Sequence, residues 1–237
     1  MVFNRKIFLK EVVSSSDYLI KLNKETDLEE GLVVVSDFQT RGRGRSENSW
    51  LSDSGKNLLF SFILKPSFLP VQKQFFLSAI SSISMVYTLK KYINEKINIK
   101  WPNDIIVDQK KIAGFLLDLS ISSKTINMCV IGLGLNVHQD FFPGLNNATS
   151  MCVFNKSIPE NTVILNDFLH HFSKLYKDLK NGNFEEIKNI YLSITADFKS
   201  ISLINGIKSE IQILNILEDG VVLGLVNGVE KELKHVF

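Results

Sequence analysis

The chain is poor in the residues that build covalent or metal-held scaffolds. Two cysteines and four histidines occur in 237 residues. With no histidine at ligand spacing beside them, Cys129 and Cys152 make neither a disulfide framework nor a zinc site, and both are expected as reduced thiols. No run approaches the roughly eighteen consecutive apolar residues of a membrane span, and the opening MVFNRKIFLKEVV lacks the apolar stretch of a secretory signal. A cytoplasmic location is therefore expected. An excess of charge is also missing: 27 Lys+Arg stand against 25 Asp+Glu, a formal charge of +2. That balance excludes a general nucleic-acid binder, whose basic residues dominate a whole face, so any cationic function is local. No repeat or low-complexity tract is visible. What is present is apolar mass, 45% of residues, enough for a packed globular core.

That mass is patterned. Runs at 31–38 (GLVVVSDF), 57–64 (NLLFSFIL), 111–119 (KIAGFLLDL) and 126–135 (INMCVIGLGL) read as strands, several apolar on both faces and so covered by helices. Phe76, Ile80, Ile83 and Tyr87 recur at helical spacing after Pro70, predicting one long amphipathic helix over 71–95. Leu165, Phe168, Leu169, Phe172, Tyr176 and Leu179 mark a second helix, stopped by Gly182. Asn183 and Glu186 are placed to cap a third that turns Phe184, Ile187 and Ile190 inward. Beyond about residue 195 short β-like runs alternate with Asn205-Gly206, Asp219-Gly220 and Asn227-Gly228, pairs that favour tight hairpins. The division expected is a domain over 1–194 and a small antiparallel β-barrel over 195–237, packed on the first because forty residues seldom hold a core alone.

Three segments carry candidate chemistry. QTRGRGRSENSW at 39–50 puts three arginines and two glycines between Arg41 and Arg45; it reads as a nucleic-acid tail, a solvated loop, or a loop that closes over phosphate. KWPNDIIVDQKKIAGF at 100–115 reads as a hairpin, and Gly114 inside an apolar strand suggests close approach to the backbone. GLGLN at 132–136 lacks the third glycine and helix of a dinucleotide fingerprint. It fits a bulged strand, with the Asn136 amide able to donate to a phosphate or sugar oxygen.

Together these segments resemble the biotin protein ligases. Gln39, Gly42-Arg43-Gly44-Arg45 ending in Trp50, Lys100 to Asp104, Lys111-Ile112-Ala113-Gly114 and Gly132 to Asn136 stand in the family's order. The resemblance spans most of 8–145. It implies an α+β fold, with a mixed sheet flanked by helices like the class II aminoacyl-tRNA synthetases and a small C-terminal SH3-like barrel. It also implies a two-step reaction, in which biotin and ATP give biotinyl-5′-AMP and the biotin then passes to a lysine of a carboxylase's biotin carboxyl carrier domain. Mg²⁺ would accompany ATP. On this resemblance Lys111 contacts the biotin carboxylate and phosphate, and Arg43 and Arg45 face phosphate from a closing loop. Gly42 and Gly44 would let backbone N–H groups approach the ligand, and Gly114 would line the biotin site. Trp50 lies beside adenine, and Asn103 and Asp104 lie near the nucleotide and incoming lysine, with Asn136 on the nucleotide. Ser14, Ser15, Ser16 and Gln39 hold the ureido ring, while one of the serines also serves as a helix N-cap.

Two departures from the family pattern stand out: Glu47-Asn48 where relatives continue Gly-Arg, and Ser16 where asparagine is usual. The catalytic pattern starts almost at Met1, so no DNA-binding segment and no nucleic-acid or membrane partner is expected; the chain is expected as a monomer or homodimer. The rivals are a lipoate ligase, which shares fold and adenylation chemistry, and a nucleic-acid module built on RGRGR, whose binding would fall steeply with salt.

Overall fold

Seven strands form one mixed sheet: β1 (Lys6–Val12), β2 (Val33–Gln39), β3 (Leu58–Leu64), β4 (Ile97–Lys100), β5 (Asp104–Val107), β6 (Lys110–Ser122) and β7 (Thr125–Leu135). Their order is β1-β2-β3-β7-β6-β5-β4. The computed structural model describes residues 3–45, 48–122, 124–195, 198–204, 206–217 and 221–233. Helix α1 (Ser15–Thr26) connects β1 to β2, the one parallel pair, because a parallel partner needs a crossover while the antiparallel neighbours do not.

The two faces of the sheet are treated differently. On one, Val33, Val35, Phe60, Phe62, Phe115, Leu133 and Leu135 join the main core beneath α2 (Phe75–Leu89), α4 (Asn161–Lys180) and α5 (Phe184–Thr195). A four-residue helix, α3 (Met151–Phe154), precedes α4. On the other face only α1 packs, with Leu19 against Val34, Ile63 and Val130. Strand alternation enforces this division, and it leaves part of the α1 face open for a site.

The long helix expected over 71–95 is shorter and differently surrounded. A 3-10 turn at Val71–Lys73 precedes α2, which ends at Leu89. Ile93 kept the helical spacing because its N–H bonds the Leu89 carbonyl in a single uncontinued turn that buries it. Nor is α2 amphipathic, since every residue but Tyr87 is buried. Its serines imitate a polar face in the sequence. Ser81, Ser84 and Thr88 instead donate to the carbonyls of Leu77, Ile80 and Ser84 four residues back, which satisfies the hydroxyls inside the core.

Helix α4 stops as its sequence predicts. Gly182 has φ +82, its N–H bonds the Leu179 carbonyl, and Asn183 N–H bonds Asp178; these are the two bonds of a Schellman end. Tyr176 in α4 donates to Glu30 Oε1 at 2.7 Å, and the same oxygen accepts from Lys65 N–H at 2.9 Å. Tyr176→Phe should therefore cost about 1 kcal/mol in urea unfolding, because Glu30 keeps its second donor; an unshifted midpoint would show that the tie carries no stability.

After α5 the strands β8 (Lys199–Ile204), β9 (Ile207–Ile216), β10 (Val222–Val226) and β11 (Val229–Leu233) form an antiparallel meander, the small C-terminal β unit expected. Asn227 (φ +50) and Gly228 (φ +81) make the two-residue turn between β10 and β11. Gly206 also has positive φ; Asn205 and the Asp219-Gly220 pair lie outside the described residues. Ile211, Ile213, Val222 and Leu233 belong to the same core as the main sheet's helix face, so this unit packs on the rest as anticipated.

Candidate active site

β7 supplies the floor. In GLGL, Leu133 and Leu135 turn into the helix-side core, so Gly132 and Gly134 face the α1 side, where side chains from elsewhere lie directly on the strand. A Cβ on Gly134 would overlap the Trp50 indole, and one on Gly132 would overlap Ser16 Oγ. Gly114 sits opposite Gly134 on β6, and a Cβ there would lie 3.0 Å from Lys111 Nζ and 3.2 Å from Trp50 Cζ3. The close approach expected at Gly114 is thus made by the chain's own lysine and tryptophan.

Lys111 reaches that face through a bulge. Ile105 pairs with Ala113 but Ile106 pairs with Lys111, so Ile112 is an extra residue on β6. Ile112 and Ala113 both enter the core, and Lys111 emerges on the glycine side. Its main chain is held by Asn147 and Thr149. Lys111 Nζ lies 2.7 Å from Asp104 Oδ1 and 5.3 Å from the Trp50 ring centre. The charge of Asp104 also acts on Arg45: burial pushes the guanidinium pKa down and Asp104 opposes the shift. The lysine and its carboxylate partner therefore stand together beside the indole.

Arg43 takes a separate pair of carboxylates, Asp17 in the first turn of α1 at 3.2 Å and Asp118 on β6 at 2.5 Å. Burial raises the Asp118 carboxyl and Arg43 pulls it back. A half-exposed pair of this kind adds at most about 1 kcal/mol to stability. Its effect is orientation, because it fixes the arginine segment against the sheet.

That segment is more ordered than the sequence suggests. Gly44 N–H bonds Asn48, Trp50 N–H bonds Gly42, and Asn48 Nδ2 bonds the Arg45 carbonyl. The Gly44 N–H expected to meet a ligand is thus already committed; Ser46 and Glu47 lie outside the described residues. Gly42 is needed for packing, since a Cβ there would lie 2.7 Å from the Trp50 carbonyl.

The serine run divides its duties. Ser14 Oγ caps α1 by accepting from Asp17 N–H. Ser15 Oγ and Ser16 Oγ both meet Ser61 Oγ of β3, at 2.6 and 2.9 Å, and Ser15 N–H donates to Gln39 Oε1 at 2.7 Å. Ser61 was missed by sequence reading; its signal is a lone hydroxyl in a fully apolar strand. Asn103 serves the hairpin, with its amide donating to the Phe115 carbonyl. Asn136 departs from expectation: its amide is spent on the Thr149 carbonyl at 2.9 Å, and its unpaired buried atom is the acceptor Oδ1. An acceptor suits a hydroxyl or N–H, not a phosphate oxygen.

A cleft of about 840 Å³ opens beside these groups, lined among others by Gln39, Arg43, Trp50, Leu116, Asp118 and Gln139. Asp17, Asp118 and Gln139 carried no sequence motif, because their partners lie on distant segments.

The family model for the biotin/lipoate A/B protein ligase family matches residues 9–136, more than half of the chain. The chain belongs to this family. It is 30% identical over 196 residues to the bifunctional ligase/repressor BirA of Bacillus subtilis, covering 81% of this chain and 60% of that protein. It is 24% identical to the biotin–[acetyl-CoA-carboxylase] ligase of Mycobacterium tuberculosis, covering 84% and 71%. The chain thus spans about 60% of the length of that bifunctional relative. Among solved structures, the biotin protein ligase of Aquifex aeolicus in complex with biotin and ATP superposes with a TM-score of 0.80 at 28% identity, over 97% of this chain and 95% of that one. No helix among the described residues is long and apolar enough to cross a membrane.

Proposed function

We propose that this chain is an ATP-dependent biotin–protein ligase. The observation that carries the reading is the meeting of Lys111, Trp50 and the Ser15–Ser16–Gln39 cluster along one glycine-lined face of the sheet, beside a cleft large enough for a small ligand and nucleotide.

In the first step a biotin carboxylate oxygen bonds to the α-phosphorus of ATP and pyrophosphate departs. Two anions must approach. At about 4 Å and an effective dielectric near 20, one opposite charge is worth ~4 kcal/mol, several times a typical net hydrogen bond. Lys111 and Arg45 supply that charge, and Asp104 holds Lys111 in place until the ligands arrive. Arg43, on its two carboxylates, stands ready at the cleft wall for the biotin carboxylate or phosphate. Ser15, Ser16 and Gln39 recognise the ureido ring, Gly114 gives the chain of biotin room, Trp50 covers the nucleotide side, and Asn136 Oδ1 accepts from a ribose hydroxyl. Among the described residues no three metal-ligating side chains cluster, and Asp104 and Asp118 face cations already, so Mg²⁺ is taken to enter bound to ATP.

In the second step a carrier-domain lysine amine attacks the anhydride carbonyl, AMP leaves, and the amine loses a proton. Asp104 orients that amine. The acceptor is a biotin carboxyl carrier domain, and residues 1–194 are read as the catalytic unit with 195–237 as its appended domain. A direct test incubates the protein with ATP and either biotin or lipoate and measures pyrophosphate release. Release with biotin alone is expected. Release with lipoate alone would assign the other branch of the family.

A further inference from the structure

Two segments that follow the arginine stretch and β7 wall the cleft: 50–53, and Gln139, Phe142, Pro143 and Leu145. One side chain joins them. Gln139 is 3% exposed; its Oε1 accepts from Asp53 N–H at 2.9 Å and from Asn57 Nδ2 at 2.6 Å, while its Nε2 donates to the Phe141 carbonyl at 3.0 Å. Asn57 Oδ1 accepts in turn from Val137 N–H at 3.0 Å, and His138 N–H bonds the Lys56 carbonyl at 2.8 Å. A carboxamide is the neutral group that accepts from one wall and donates to the other at once.

We propose that Gln139 is a positioning residue for the nucleotide, locking the Trp50–Asp53 wall and the Phe141–Leu145 wall into one unit whose separation is set before ATP enters. The inference rests on the adenylation reading given above. The surfaces it joins are apolar and aromatic, with Trp50 and Leu51 on one side and Phe142, Pro143 and Leu145 on the other. They suit a planar base, whereas the serine and Gln39 end is polar. The Trp50–Asp53 wall also holds two buried side-chain atoms without partners, Trp50 Nε1 and Ser52 Oγ. Both can donate, and a nucleobase brings acceptors. Removing the carboxamide strands Asp53 N–H and the Asn57 amide, so that wall is freed to shift while Lys111, Arg45 and Ser15 keep their own supports.

The test uses the full chain with Gln139→Met, which keeps length and bulk, and Gln139→Asn, which keeps polarity but is one carbon too short to span both walls. Initial pyrophosphate-release rates are measured against ATP and against biotin separately, with thermal melting and calorimetric binding of a non-hydrolysable ATP analogue alongside. A rise of about tenfold in KM for ATP and in the analogue's Kd, with KM for biotin within twofold, is expected for either variant, on the scale of a buried donor left unpaired. If Gln139→Met does not fold, Gln139→Asn decides. A lowered melting temperature with ATP binding unchanged would make Gln139 structural only and overturn the inference. Equal rises for biotin and ATP would do the same. Failure of the unmodified chain to release pyrophosphate with biotin would instead remove the adenylation reading beneath it.

Discussion

Lys111→Ala is expected to lower biotin-dependent pyrophosphate release by about a hundredfold, the scale of losing one preorganised electrostatic donor. The fold should survive. The Lys111 side chain is 33% exposed and its pair with Asp104 is near the surface, so the stability at stake is at most about 1 kcal/mol. The main-chain bonds to the Asn147 carbonyl and from the Thr149 N–H do not depend on the side chain. Loss should therefore show in kcat, with a melting temperature within a few degrees of the parent and biotin still bound. The reason is geometric: the bulge at Ile112 delivers the ammonium to the one face where Trp50 also stands, and no other described lysine lies against these glycines. Turnover within threefold of the parent would remove Lys111 from the mechanism.

Arg45→Gly is expected to release the reactive intermediate. In this variant adenylate forms but escapes at least about ten times faster, and lysines of unrelated proteins in the mixture become biotinylated. Arg45 is partly buried and feels the charge of Asp104, and its carbonyl accepts from the Asn48 side chain. Glycine removes the cation and loosens the turn together. A mixed anhydride persists only while water is kept away, and the arginine segment is one of the walls of the cleft. Mass spectrometry of a mixture containing the carrier domain and a lysine-rich bystander reads the outcome. Labelling confined to the carrier domain would mean that Arg45 does not hold the intermediate. Arg43, fixed by Asp17 and Asp118, should retain closure better than Arg45 does.

The parts legible in the sequence were those written locally. β2, β3, β6 and β7 fall within a few residues of the apolar runs that announce them, and Gly182 ends α4 through two bonds reaching back only one turn. β1 escaped because it lies at the sheet's edge: in KIFLKEV no residue is fully buried, so no apolar run marks it. Ser81, Ser84 and Thr88 of α2 misled because satisfaction by a carbonyl four residues back leaves no trace in composition. Ser61, Asp118 and Gln139 were missed for a different reason. Their partners lie 45 or 46, 75, and 82 or 86 residues away respectively, and nothing in a neighbour's identity announces such a bond.

By itself the sequence determined the chemistry on offer: a cationic loop, a lysine-bearing hairpin, a serine run ahead of a helix, and glycines alternating with leucines. Residue type and near-neighbour order fix those properties whatever the fold. Only the tertiary structure decided which of these groups meet. Plain strand alternation would send Lys111 and Gly114 to opposite faces, three residues apart, and would bury the ammonium among Phe115 and Leu117. The extra residue at Ile112 reverses that, turning Lys111 toward Gly114, Asp104 and the Trp50 ring. Such a reversal is set by pairing with β5, a partner strand whose register no single segment encodes.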